Sequence, residues 1–200
     1  MTDLNEHQEF ERDWWGECLN TFGEEAKQIT YAHHMGLVNI PDPVTGVWPQ
    51  YDLEGRSVLD IGGGPASMLL KCVSGGVLAV VDPCPYPAWT RQRYAAAGIT
   101  LHVEPAESFS TRQKFDEVWI YNVLQHVEDP EAVLATARAH ASILRIFEWI
   151  DLPPSPGHPH MLTVESLDRW INSEAINEFG VGPVNENGCV GTAYHGVFVL

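Results

Sequence analysis

The chain has 200 residues, 44% of them apolar, and its 27 acidic and 11 basic side chains leave a formal net charge of −16. That length suits one domain with a small appendage, and no apolar run approaches the ~18 residues of a membrane span. The acidity repels phosphate backbones and no Lys/Arg cluster offsets it, so nucleic acid is not an expected partner.

Residues 1 to about 40 read as helical and irregular, rich in Glu and in aromatics such as Phe10, Trp14, Trp15, Phe22 and Tyr31. The stretch Met1–Arg12 is acidic and polar, unlike a secretory leader. Pro41, Pro43, Gly46 and Pro49 then break any helix, so a connector is expected over 40–55. From there strands and helices alternate. Strands are predicted at Ser57–Ile61, Val77–Val81, Ile99–Val103, Phe115–Tyr121 and Ser142–Ile150. Helices are predicted at Ala66–Val73, Ala88–Ala97, Pro130–Ala139 with proline in the first turn, and Thr163–Asn177 capped by Thr163. A last strand, Gly196–Leu200, is expected to pair with one near Gly188–Ala193. The alternation implies an α/β fold: a doubly wound, mainly parallel seven-stranded sheet with helices on both faces and an N-terminal helical extension. Residues 1–52 are read as cap and connector, 53–200 as the main domain. Cys18, Cys72, Cys84 and Cys189 form no CxxC pair, which suits reduced thiols in a cytoplasmic protein.

The most informative segment is Val58-Leu59-Asp60-Ile61-Gly62-Gly63-Gly64-Pro65-Ala66-Ser67. An apolar run ends in an acid and three glycines follow, the pattern of a buried strand, a tight turn and a helix start. Bare backbone at Gly62, Gly63 and Gly64 allows a sharp bend and close approach of a ligand. Asp60 at the strand's mouth would repel a pyrophosphate and suits a ligand carrying an ammonium or a sulfonium. In a doubly wound sheet ligands sit at the carboxyl ends of the strands. Asp82, 20 residues after Gly62, stands before Pro83 at the next strand end and is placed to accept from ribose hydroxyls. Ala106 and Glu107 follow the third strand, near where a nucleobase would lie, and Tyr121 and Asn122 end the fourth.

On these residues the chain resembles the class I S-adenosylmethionine-dependent methyltransferases over roughly residues 55–200. The run from Val58 to Ala66 is similar to the family's first glycine-rich motif, with Ala66 at the last glycine. Asp82 matches the ribose-binding acid, and Phe115 to Pro130 resembles the segment around the fourth strand and the helix after it. Pro105 replaces an acid that usually contacts the adenine, which leaves that contact to backbone N–H groups or to Glu107. The resemblance implies that Asp60, Gly62, Gly63, Gly64, Asp82, Pro83, Ala106, Glu107 and Asn122 hold S-adenosylmethionine, with its ammonium over Asp60 and Gly62. The implied reaction is methyl transfer to an O or N atom of a small-molecule acceptor. The alternatives are an inactive cofactor-binding partner subunit and a nicotinamide-dependent oxidoreductase.

His126 is the candidate base for an alcohol or phenol acceptor, because imidazole exchanges protons near neutral pH. Tyr121 and Asn122 are expected to shape the methyl site through backbone carbonyls and side-chain polarity. Trp14, Trp15, Tyr31 and His34 of the extension are expected to line the acceptor pocket, with His158 from the Pro-rich loop after Ser142–Ile150 as a lid. His158 and His160 with His33 or His34 could hold a metal, but no carboxylate or thiol stands at a telling distance, so no metal is expected.

Overall fold

The computed structural model describes residues 6–41, 46 and 49–200. The expected connector is described only at its ends and at Gly46; Pro43 and Met1 to Asn5 lie outside the described residues.

Two helices open the chain, α1 (Glu6–Trp15) and α2 (Phe22–His34), followed by short strands β1 (Asn39–Pro41) and β2 (Pro49–Asp52). The main sheet takes β3 (Val58–Ile61), then, after a two-residue strand β4 (Cys72–Val73), β5 (Leu78–Val81), helix α3 (Ala88–Ala96) and β6 (Ile99–His102). It continues with β7 (Phe115–Tyr121), α4 (Pro130–His140), β8 (Ala141–Ile150), α5 (Val164–Ile171), β9 (Ala175–Glu186) and β10 (Cys189–Val199). The seven strands lie in the order β6-β5-β3-β7-β8-β10-β9. The pairs β3–β5, β5–β6, β3–β7 and β7–β8 are parallel, and β10 runs antiparallel to both β8 and β9. The chain runs outward from β3 through β5 to β6, then restarts at β7 on the other side of β3. Ligand crevices open beside such a switch point.

Strand periodicity explains the two faces. Leu59, Ile61, Ala79, Val81, Val118 and Ile120 point to one side, where Val133, Leu134 and Ala137 of α4 and Leu167 and Ile171 of α5 cover them. Val58, Val80, Trp119 and Phe147 point to the other, covered by Tyr31, Ala32 and Met35 of α2, by Met68 and Leu69, and by Tyr94 of α3. The extension is therefore part of the core, not a separate cover: α2 closes one face of the sheet.

Three sequence expectations are corrected. The helix over Ala66–Val73 is a single 3₁₀ turn, Met68–Lys71, capped by Ser67, whose Oγ accepts from Leu69 N–H. Cys72 and Val73 pair with Tyr51 and Asp52 in a small second sheet, β1-β2-β4, so the segment leaves helix for strand before Gly75 and Gly76. α2 fills the space such a helix would occupy, with Gln28 Nε2 donating to Ala66 O (2.7 Å) and Lys71 Nζ donating to Gln28 Oε1 (2.7 Å). The helix predicted to reach Asn177 stops at Ile171, where Asn172 takes a left-handed φ of 45° and closes on Asp168 O, a stop that Asn tolerates. The two short strands expected at the C-terminus are one strand, β10, with an irregular register around Gly196.

Candidate functional site

The turn after β3 is where glycine is required. Gly62 and Gly64 have φ of +70° and +64°, and a Cβ on Gly62 would sit 2.6 Å from both methyls of Val123. A Cβ on Gly63 would meet Asp60 Oδ2 at 2.7 Å. The bend is held from several sides: Gly62 N–H donates to Val81 O (2.8 Å), Gly64 N–H to Asp82 Oδ2 (3.0 Å), and Tyr94 OH to Gly64 O (2.6 Å). Tyr94 OH also accepts from Ser67 N–H at 2.9 Å.

Above this turn opens a cavity of about 540 Å³. Gly62, Gly63, Gly64, Asp82, Pro83, Ala106, Glu107 and Asn122 line it, each a sequence-predicted cofactor residue. Asp82 is buried, accepts Gly64 and Cys84 N–H, and is raised to about 6 mainly by burial. Glu107 Oε1 accepts from Glu128 N–H (3.0 Å), holding the approach to α4.

Asp60 is a correction. It is fully buried under the turn and is not among the lining residues, so it offers the cavity no direct ionic contact. Its Oδ2 accepts from Ser67 Oγ and from Tyr121 OH (2.6 Å), while Oδ1 has no partner among the described residues. Burial raises its carboxyl to about 7. Tyr121 is corrected with it: the ring lines the cavity, but the hydroxyl is turned back to Asp60 and accepts from Met68 N–H (3.1 Å), leaving no side-chain polarity for the methyl site. Asn122, at a left-handed φ of 57°, lines the cavity and accepts from Gln125 Nε2 (3.0 Å).

The rest of the lining comes from α1, from α2, from the turn after β7 and from the loop after β8. Trp14, Trp15 and Tyr31 line the cavity, as does His158. Trp15 reaches over the glycine turn, its Cζ2 3.8 Å from where a Cβ on Gly64 would lie. Tyr31 packs on Phe147 with centroids 4.6 Å apart. His34 does not reach the cavity, because it lies on the far part of α2 against His195 (4.2 Å) and Glu186 (3.4 Å), at a second hollow. His160 is also elsewhere, its Nε2 2.9 Å from Val127 O. His126 lines the cavity, with Nδ1 3.0 Å from Glu11 Oε1 and 2.9 Å from Gly157 O, and its ring 4.4 Å edge-on from His158. Burial and the neighbouring His126 lower the affinity of His158 for a proton.

Three residues that matter here were invisible to the sequence reading. Tyr94 and Gln28 brace the glycine turn from α3 and α2. Glu148 on β8 is fully buried and accepts Val123 N–H (2.9 Å) and Leu124 N–H (3.0 Å), fixing the turn that carries Asn122 and His126. Its partners lie 24 and 25 residues away, a separation no local pattern marks.

Residues 59–141 match the family model described as a methyltransferase domain. No curated protein sequence matches the chain. Among solved structures, the chain is similar to the N-methyltransferase NodS from Bradyrhizobium japonicum WM9 in complex with S-adenosylhomocysteine, at 14% identity, covering 98% of each chain with a TM-score of 0.65. It is similar to magnesium protoporphyrin IX methyltransferase from Synechocystis PCC 6803 at 14% identity, covering 97% of this chain and 95% of that one (TM-score 0.62). It is also similar to a Burkholderia thailandensis 1,6-didemethyltoxoflavin-N1-methyltransferase at 13% identity, covering 100% and 92% (TM-score 0.58). At these identities the likeness is one of fold.

Proposed function

We propose that this chain, a class I S-adenosylmethionine-dependent methyltransferase, moves the methyl group to an O or N atom of a small-molecule acceptor. One observation carries the reading. One cavity is lined both by the glycine turn with Asp82 and by His126, Trp14, Trp15, Tyr31 and His158. Its volume of about 540 Å³ suits the cofactor with a small acceptor. The similar structures named above include two N-methyltransferases, one of them holding 1,6-didemethyltoxoflavin, which supports a compact acceptor and puts nitrogen beside oxygen as its target.

The residues fit the cofactor on their own geometry. Bare backbone at Gly62 and Gly63 leaves space that Val123 and Asp60 would deny to a side chain. S-adenosylmethionine supplies a methyl group already activated on a sulfonium. Asp82 would hold the ribose hydroxyls, and Ala106 and Glu107 would hold the adenine. Asp60 acts through Tyr121 and Ser67, holding the turn in shape. Trp15 and Tyr31 would exclude water, and the cavity-lining residues of α1 and of the loop after β8 would position the acceptor for in-line displacement. His126 receives the proton of a hydroxyl acceptor, a contribution of about 10²–10⁴-fold, with Glu11 orienting its ring.

Calorimetric titration with S-adenosylmethionine, S-adenosylhomocysteine and NAD tests the reading. Micromolar binding of the first two and none of NAD is expected, with turnover on some member of a panel of amines, phenols and alcohols. Absence of S-adenosylhomocysteine binding overturns it, and binding without turnover across the panel replaces it with an inactive partner subunit.

A further inference from the structure

We infer that Glu11, His126 and His158 form a binding site for one divalent transition-metal ion at the acceptor end of the cavity. The three side chains come from three separated segments: α1, the turn after β7, and the loop after β8. Their ligand atoms all lie within 4.8 Å of one another, and all three residues are part-buried. Ligands ~2.0–2.2 Å from a common ion are at most ~4.4 Å apart, so a small side-chain rotation closes the set. The Glu11 Oε1 to His126 Nδ1 distance of 3.0 Å already matches two neighbouring ligands. Two imidazoles and one carboxylate suit zinc, and equally ferrous iron with open positions.

The loop adds an outer hydrogen bond of the kind that holds an imidazole in place at a metal centre: Ser155 Oγ is 3.3 Å from His158 Nδ1, which leaves Nε2 as the ligand, whereas binding through His126 Nδ1 replaces its 2.9 Å contact with Gly157 O. A plain ion pair explains Glu11 and one histidine. It does not require a second imidazole at the same point. Three protein ligands leave positions for water or for an acceptor heteroatom, and Glu11, His126 and His158 all face the cavity where the acceptor would enter. The ion site rests on the methyltransferase reading only for that last step. With an ion bound, His126 is a ligand; without one, it is the proton acceptor described above.

The experiment titrates Zn²⁺ into the full chain and into Glu11→Gln, His158→Ala and His33→Ala, the last an exposed histidine outside the cavity. The Co²⁺ absorption spectrum is recorded for each, and S-adenosylhomocysteine is titrated in parallel. One ion per chain is expected, weakened at least about tenfold by either of the first two changes and unmoved by the third. The visible Co²⁺ bands should fade with the same pair. No stoichiometric binding, binding that Glu11→Gln and His158→Ala leave unchanged, or equal weakening by His33→Ala overturns the site. A chain that binds S-adenosylhomocysteine but no ion loses the metal site and keeps the methyltransferase. A chain that binds the ion alone keeps the site and loses the methyltransferase reading.

Discussion

Gly62→Ala tests the glycine turn most directly. The residue sits at φ +70°, where a Cβ costs ~1–2 kcal/mol. The new methyl would lie 2.6 Å from both Cγ atoms of Val123, so rotating that stiff side chain exchanges one clash for another. Val123 is itself buried at 7% exposure, and overpacking of this kind costs ~1–3 kcal/mol. Alanine also stiffens the unfolded chain, which returns ~0.4–1 kcal/mol. The net loss is about 1–5 kcal/mol. Urea denaturation of the wild type, Gly62→Ala, Val123→Ala and the double variant separates the parts. The clash belongs to the pair and should appear as a coupling energy of about 1–3 kcal/mol favouring the double variant, whereas the backbone strain stays with residue 62. S-adenosylhomocysteine affinity should fall in Gly62→Ala and recover in part in the double variant. Stability within ~0.5 kcal/mol of wild type, or a coupling smaller than that, refutes the packing argument.

Other consequences follow from the buried acids and the aromatic wall. Asp60 and Glu148 are raised to about 7 and Asp82 to about 6, all chiefly by burial. Acids raised on folding stabilise fully when protonated and lose that contribution as pH climbs through their folded values, so the melting temperature should rise as pH drops from 8 toward 5. Below that range Glu25 and Glu117, which are held below the ordinary carboxylate value, reverse the trend. A melting temperature higher at pH 8 than at pH 6 contradicts this. Glu148→Gln should flatten the slope while keeping the fold, and Glu148→Ala, which strands two buried N–H groups, should cost about 2–6 kcal/mol in chemical denaturation. Trp15→Ala should weaken S-adenosylhomocysteine binding about tenfold in calorimetry, because the indole covers Gly64. Undiminished affinity would move Trp15 to the acceptor side.

The strand-end lining of the cavity was legible because each of its parts is contiguous in the chain and marks a strand end. Gly62 to Gly64, Asp82, Ala106 with Glu107, and Asn122 all line the cavity. The sheet was legible for a related reason: strands buried on both faces read as apolar runs punctuated by turns. Errors arose where a distant partner outweighed local preference. Ala66–Val73 has a helical look, yet β2 offers Cys72 and Val73 a pairing edge and α2 supplies the cover. Asp60 reads as a ligand because a carboxylate at a strand mouth suits an ammonium or a sulfonium, but Tyr121, 61 residues on, captures its Oδ2. The rest of the lining fails for the same reason more completely. Glu11 approaches His126 across 115 positions, and neither residue's neighbours announce the other. His34 and His158 carried equal promise as residues, and only the packing of α2 against β10 sends one to the far hollow while the loop after β8 brings the other to the cavity. The side of the cavity built by α1 and the loop after β8 is thus set by contacts between distant segments, while the glycine-turn side is set by segments that each carry their own turn chemistry. On the proposed function, changes in α1 or in the 151–163 segment should alter acceptor turnover and leave S-adenosylhomocysteine affinity unchanged, except at Trp15, which reaches the glycine turn; equal loss of both would refute this.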